Sequence, residues 1–355
     1  MSHPALDEAR SARPGEELDQ QRVADYLRTQ IPGLAGDFEL LQFPGGKSNL
    51  TYLVRVGDTE LVLRRPPHGT KAKSAHDMGR EYRILSKLSP VFSPAPEPLA
   101  YCEDESLLGA PFYVMRRLHG IVLRRDPPAD FPLDENLAGR LSQSLIDTLA
   151  ELHTVDYQAA GLADFGKPAG YVERQILGWN ERYRRARTPD VPDCEAVMNW
   201  LEAEMPADSG QVALIHNDYK FDNVMLAPEK PERIIGVLDW EMATLGDPLM
   251  DLGCALSYWV QPDDAQELLA IRQGPTHLPG MWSRQQLAEH YAQRTGINVG
   301  QMDFYMAYGL FRLAVIAQQI YYRYYHGQTQ DERFKAFGQF AAVLSRQVER
   351  IMATR

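Results

Sequence analysis

Apolar and polar positions change period along this chain. Between residues 38 and 118 they alternate with a period near two, as half-buried strands do. Five segments read as strands: "FELLQF" (38–43), "LTYLVRV" (50–56), "TELVLRR" (59–65), "EPLAYCE" (97–103) and "PFYVMRRL" (111–118). The dipeptide "GD" (57–58) between the second and third predicts a two-residue hairpin. One helix interrupts the series at "HDMGREYRILSKL" (76–88), with Met78, Leu85 and Leu88 among its apolar positions. Another precedes it in "ELDQQRVADYLRTQI" (17–31), where Val23, Tyr26, Leu27 and Ile31 recur at helical spacing.

From about residue 120 the pattern becomes helical. Leu137, Leu141, Leu145, Leu149 and Leu152 share one face of 135–153. Phe334, Phe337, Ala341, Leu344, Val348 and Ile351 form a core-facing seam near the C-terminus. A β-rich island, 212–239, lies between these helices, and no internal repeat appears. The expected organisation is a disordered tail (1–16), a small lobe (17–118) and a larger, mostly helical lobe (119–355). The fold class is α+β, with a five-stranded antiparallel sheet and one helix in the small lobe. A ligand cleft is expected at the junction near 115–120.

Composition narrows the partners. The chain has 355 residues, enough for two lobes, and its apolar share of 44% is that of a globular protein. A net charge of −11 argues against a broad nucleic-acid surface and against anionic membranes. Cys102, Cys194 and Cys254 lie far apart without metal-ligand spacing, which suggests reduced thiols. No segment has the length of a transmembrane helix and the N-terminus lacks a signal-peptide core, so a cytoplasmic location is expected.

The dense polar stretch "HNDYKFDN" (216–223) sits between the apolar runs "VALI" and "VML". Downstream, "RIIGVLDWEMATLGDPLMDLG" (233–253) runs a strand into Asp239. A hairpin of 224–226 with 234–238 would bring Asn223 and Asp239 to one end. Two neighbouring oxygen donors suit Mg2+, and Asp218 nearby would accept a proton from a hydroxyl. The competing reading is an Asp/Asn capping network. Upstream, "FPGGKSN" (43–49) is either a hairpin turn or a loop whose Gly45 and Gly46 let N–H groups approach an anion. Val62 and Arg64 share a strand face, and Glu81 on the next helix is a candidate partner for Arg64.

In this order these residues resemble the kinase-like fold, specifically the aminoglycoside phosphotransferase family, from about 37 to 350. "FPGGKSNLTYLV" stands for the Gly-rich loop, "LVLR" for the strand cation, and "FYVMRRLHG" for the hinge. "HNDYKFDN" is similar to the catalytic loop, and "LDWEMATLGDPLMDL" to the family's Asp-Trp and Gly-Asp-Pro-x-x-Asp-Leu run. Only seven residues separate Trp240 from Pro248, leaving no room for a platform that holds a peptide substrate. A narrower resemblance, carried also by "VLRRPPHG", "GAPFYVM" and "DFGKPAGYVERQI", is to the phosphotransferase-like domains associated with acyl-CoA dehydrogenases.

The resemblance implies a Mg2+-dependent transfer from ATP or GTP to a hydroxyl of a small molecule, such as a hydroxyacyl-CoA or related hydroxy acid. It implies that Gly45, Gly46, Lys47, Ser48 and Asn49 cover the phosphates and that Arg64, held by Glu81, positions them. Val62 and Met115 line the adenine slot, with backbone groups of Arg116 and Leu118 at its edge. Asn223 and Asp239 hold Mg2+, Asp218 orients the acceptor, Lys220 meets the γ-phosphate, and His216 and Asp251 support the loop. Arg64 stands where most kinases have lysine, and Asn217 where glycine or arginine is frequent. A pseudokinase scaffold is the rival of another class, and an amino-sugar or amino-alcohol the alternative acceptor. Assembly as a homodimer stays open. Tyr171, Trp179, Trp259 and "YYRYY" (321–325) are core or acceptor-lining aromatics, and "RYRRAR" (182–187) is either a solvated face or a contact for CoA phosphates.

Overall fold

The computed structural model describes residues 8–44, 49–67, 77–207 and 210–354. In chain order the first elements are α1 (Gln20–Gln30), β1 (Phe38–Gln42), β2 (Leu50–Val56), β3 (Thr59–Arg65), α2 (Met78–Leu88), β4 (Pro98–Cys102), α3 (Glu105–Leu108) and β5 (Phe112–Arg116). There follow α4 (Glu135–His153), α5 (Tyr171–Arg185), α6 (Glu195–Ala203), β6 (Ala213–Ile215), β7 (Val224–Ala227), β8 (Lys230–Val237) and β9 (Thr244–Gly246). Five helices close the chain: α7 (Pro248–Ser257), α8 (Gln266–Ala270), α9 (Arg284–Thr295), α10 (Met302–Tyr325) and α11 (Phe337–Ala353). Two compact units result, Met1–Val122 with Gln158–Leu162 and Asn223–Met242, and Leu123–Tyr157 with Ala163–Asp222 and Ala243–Arg355.

The first unit is built on an antiparallel sheet of order β1-β2-β3-β5-β4. Its predicted hairpin is present: Val56 pairs with Thr59 across Gly57, whose φ of +55° lies in the left-handed region open to glycine. Period two then sorts the side chains. Tyr52, Val54, Leu61, Leu63, Phe112 and Val114 form one core with Val23 and Leu27 of α1. The opposite face carries Val62, Arg64, Tyr113 and Met115, with Val62 opposite Met115 and Arg64 opposite Tyr113. Helix α2 starts where Asp77 accepts from the Arg80 N–H, and it buries Glu81 beside Arg64. The hairpin β7–β8 returns to this unit: Leu226 bridges Ile121, and the Val237 N–H donates to the Pro94 carbonyl. Of the expected tail, residues 1–7 lie outside the described ones, whereas Arg10 exchanges backbone hydrogen bonds with Gln42 and the Tyr52 hydroxyl donates to the Glu16 carbonyl.

The second unit holds the remaining helices and the short pair β6–β9. Helix α7 crosses α10 with almost no side chain between them. A Cβ on Gly253 would lie 2.3 Å from the Tyr305 carbonyl oxygen, and one on Gly309 would lie 2.6 Å from the Gly253 carbonyl oxygen. Cys102, Cys194 and Cys254 are buried and unbridged. Among the described residues no helix is long and apolar enough to cross a membrane.

This crossing predicts opposite outcomes for two glycine substitutions. Gly178, inside α5, has nothing within 4 Å of an added Cβ. Gly178→Ala should therefore stabilise by up to about 1 kcal/mol, whereas Gly253→Ala should destabilise by about 1–3 kcal/mol through overpacking. Urea denaturation of both variants checks the pair; equal midpoints would contradict the crossing.

Candidate active site

In the first unit, strand period, hairpin register and a buried helix glutamate gather one charged cluster. The Arg64 Nη2 lies 3.2 Å from Glu81 Oε1 and 3.1 Å from Asp239 Oδ1. The Tyr113 hydroxyl also hydrogen-bonds Glu81. Burial pushes the Glu81 carboxyl up against the pull of Arg64, while Arg64 is held well above its ordinary value: burial opposes its charge, but Glu81, Tyr113 and Asp239 outweigh that. Asp239 has φ +67°, a left-handed conformation that Asp tolerates better than most residues.

Val224 pairs with Val237 and the Leu238 N–H donates to the Asn223 carbonyl, so Asn223 and Asp239 stand at one end of β7–β8. They offer an amide oxygen and a carboxylate. Asp239 gives Oδ1 to Arg64, and its side chain is 31% exposed. Two hard oxygen donors fit Mg2+, which keeps waters and phosphate oxygens as its other ligands. Among the described residues no group of three or more His, Cys, Asp or Glu is arranged to hold a metal, so a self-sufficient site of the zinc kind is not what these residues form.

Asn49 donates to Glu241 Oε2 at 3.1 Å, tying the end of the "FPGGKSN" segment to the turn after Asp239. Gly45, Gly46, Lys47 and Ser48 lie outside the described residues. At the end of β5 the Arg116 N–H donates to the Glu97 carbonyl, and Leu118 packs over Gly236.

In the second unit Asp251 is the centre of a loop scaffold. It is fully buried on α7, and its oxygens accept from the His216 and Asn217 N–H groups, each at 2.7 Å. His153 Nε2 lies 3.0 Å from the same carboxylate, and its Nδ1 lies 2.7 Å from the Tyr291 hydroxyl. A carboxylate only accepts, so Nε2 carries the proton and Nδ1 accepts from Tyr291. Burial raises the Asp251 carboxyl, but His153 and the His216 side chain and N–H outweigh it and hold it below the usual aspartate range. Asn217 has φ +65°, in the left-handed region that Asn enters more readily than most residues.

The loop presents Asp218, whose own N–H donates to His216 Nδ1 at 3.2 Å. Its Oδ2 is paired with the Lys220 ammonium, and its Oδ1 accepts from the Tyr258 hydroxyl at 2.5 Å. Burial pushes the Asp218 carboxyl up, but Lys220, Tyr258 and Arg312 more than offset it, so the group stays below its ordinary value. It is an ionised, hydrogen-bonded carboxylate.

Sequence reasoning missed Tyr258, Arg312 and His153. Tyr258 lies seven residues after Asp251, two helical turns along the same face, which is a usable signal. Arg312 interrupts the apolar run "YGLFRLAVIA", where a lone cation is out of place unless it is paired. His153 carried no signal beyond its place at the end of a leucine-rich helix. Tyr171, Trp179 and Trp259 are buried. In "RYRRAR", Arg184 and Arg187 pair with Glu195, and Arg185 pairs with Glu181, as on a solvated face.

A family model described as "Phosphotransferase enzyme family" matches residues 39–290. Acyl-CoA dehydrogenase family member 10 of Mus musculus is 35% identical over 328 residues, which cover 92% of this chain and 30% of that protein. The chain thus spans less than a third of the length of this relative. A Ralstonia eutropha protein provisionally described as an aminoglycoside phosphotransferase is 31% identical, with a TM-score of 0.81 over 95% of this chain and 99% of that one. A thermostable aminoglycoside phosphotransferase solved with ADP and hygromycin B shares the fold, with a TM-score of 0.59 at 17% identity over 93% and 98% of the two chains.

The loop scaffold makes a prediction with a defined pH sign. Asp251→Ala removes the acceptor of three buried donors and should cost about 3–5 kcal/mol at neutral pH. The depressed value of Asp251 means that its stabilisation is whole above the unfolded aspartate value, about 3.9, and drains as pH falls toward the folded one. The deficit of the variant in chemical denaturation should therefore shrink below about pH 4. A deficit independent of pH would contradict an ionised Asp251.

Proposed function

Because the chain belongs to the phosphotransferase enzyme family, we propose that it transfers the γ-phosphoryl group of ATP or GTP to a hydroxyl of a small molecule. The observation that carries the reading is the loop 216–223: Asp218 is kept ionised by Lys220 and Tyr258, and the same loop runs into Asn223, which shares a hairpin end with Asp239. In the reaction the acceptor oxygen forms a bond to the γ-phosphorus while the bond from that phosphorus to the β–γ bridging oxygen breaks. The hydroxyl proton passes to Asp218, and the leaving oxygen remains on the nucleoside diphosphate. Lys220 meets the charge gathering on the transferred group. Arg64, oriented by Glu81, clamps the phosphates together with the loop 45–49. Val62 and Met115 line the adenine slot, with the Arg116 carbonyl and Leu118 N–H at its edge. Asn223 and Asp239 would hold Mg2+, which would supply charge neutralisation to the bound phosphates.

The acceptor we propose is a hydroxyacyl-CoA or related hydroxy acid. Its support is the relative named as an acyl-CoA dehydrogenase family member and the extent of the likeness, 92% of this chain. Nucleotide use is supported by the family and by the ADP complex of the more distant phosphotransferase. Arg64 favours a second reading, a nucleotide-binding scaffold, because its guanidinium already bridges Glu81 and Asp239.

Wild-type protein with MgATP should phosphorylate a member of a hydroxyacyl-CoA panel. Asp218→Asn should lose about a hundredfold or more in turnover with nucleotide affinity little changed. Tight ATP binding without turnover of any acceptor would instead support the scaffold.

A further inference from the structure

Asp218 does not stand alone with Lys220. The end of α7 and the middle of α10 supply two further side chains, Tyr258 and Arg312, that no motif of the loop contains. The Tyr258 hydroxyl donates to Asp218 Oδ1 at 2.5 Å, whereas Lys220 contacts Oδ2. The Lys220 ammonium in turn lies 4.8 Å from the Tyr258 ring centroid. Arg312 is buried to 1% exposure, with its guanidinium 5.3 Å from the Trp179 ring centroid. Burial works against the charge of a guanidinium this deep; an aromatic face and the anionic Asp218 are among the groups that offset it.

We propose that Tyr258 is a positioning residue for Asp218, its phenol fixing the rotamer of the carboxylate, and that the buried Arg312 of α10 supports the same carboxylate with its charge. The inference rests on the reading of Asp218 as the acceptor-orienting base and extends it to α7 and α10. Physically, a carboxylate with 19% exposure would otherwise drift toward protonation or swing onto Lys220 alone. With Oδ1 held by an O–H donor and Oδ2 by an ammonium, one rotamer satisfies both donors. The remaining lone pairs then point in fixed directions for a hydroxyl. Tyr258 itself stays a neutral donor, because burial and the neighbouring Asp218 push its phenol well above the ordinary value.

Among the described residues, groups from three elements act on Asp218. His216 and Lys220 come from its own loop, Tyr258 and Cys254 from α7 and its end, and Arg312 from α10. Of these, Tyr258 and Arg312 can be changed without touching the loop. Tyr258→Phe keeps the ring and removes one hydroxyl, Arg312→Met removes the charge at similar length, and Arg312→Lys restores a cation.

The test reads Asp218 directly. Carbon-13 labelling of aspartate carboxyls in the full chain, with the Asp218 resonance identified by its loss in Asp218→Asn, gives its titration midpoint in each variant. The midpoint should rise by about one pH unit in Tyr258→Phe, a tenfold change. It should rise in Arg312→Met and return toward wild type in Arg312→Lys. In parallel, the acid limb of MgATP hydrolysis, with water as the acceptor, should move up in Tyr258→Phe while the KM for ATP stays the same. A midpoint unmoved in Tyr258→Phe overturns the proposal even if Arg312→Met does not fold. If the midpoint moves but wild type turns over no ATP, the positioning of the carboxylate stands and the kinase reading falls.

Discussion

The Asp251 carboxylate, buried among two backbone N–H groups and His153, is the constraint on which the candidate site in the second unit depends. A desolvated carboxylate is tolerable only with donors in place, and these donors are the backbone of the loop that presents Asp218. The surrounding motif can be read letter by letter in the same way. Gly246 leaves no room for a Cβ, which would lie 2.5 Å from Ile215 and 2.8 Å from Tyr171. Asp247 caps α7 by accepting from the Leu249 N–H, and Pro248 occupies the first turn, where its missing N–H costs nothing. Asp251 then faces the loop one turn later, and Gly253 lets α7 meet α10 backbone to backbone.

The two charged clusters follow one logic. In the first unit Arg64 is shared between a buried glutamate and Asp239; in the second, Lys220 is engaged by Asp218 while its charge also rests over an aromatic ring. Each cation is neutralised locally, which makes its burial bearable, and each is also a group that a phosphate attracts. At position 64 both carboxylates are reached by a single guanidinium nitrogen, Nη2.

Local pairing explains why the first unit was so legible. Its strands are joined by short connections or by the single helices α2 and α3, so the two-residue period and the Gly57-Asp58 turn are enough to place Val62, Arg64 and Met115 on one sheet face. Asn223 and Asp239 were readable together for the same reason, as the two ends of one hairpin. The return of Asn223–Met242 to the first unit depends on contacts with Pro94 and Ile121, more than a hundred residues away, which no local pattern encodes. Tyr258 and Arg312 stayed hidden because each lies on or at the end of an otherwise buried helix, where periodicity reports burial and is silent on which buried group faces a carboxylate. Along the C-terminal seam Phe334 lies in a 3-10 turn, Glu332–Ala336, capped by Asp331, and the remaining positions lie on α11.

The proposed role of Asp218 is to take the proton of an acceptor hydroxyl as a phosphoryl group passes to that oxygen from a nucleotide. The most direct test supplies ATP carrying an isotope-labelled γ-phosphate, with Mg2+, to the protein in a small-molecule metabolite extract, followed by mass spectrometry for products that gain the label. The account predicts a labelled phosphomonoester that forms with wild type and is absent with Asp218→Asn. Labelled product forming equally in both, or nucleotide bound with no labelled product in either, would contradict it.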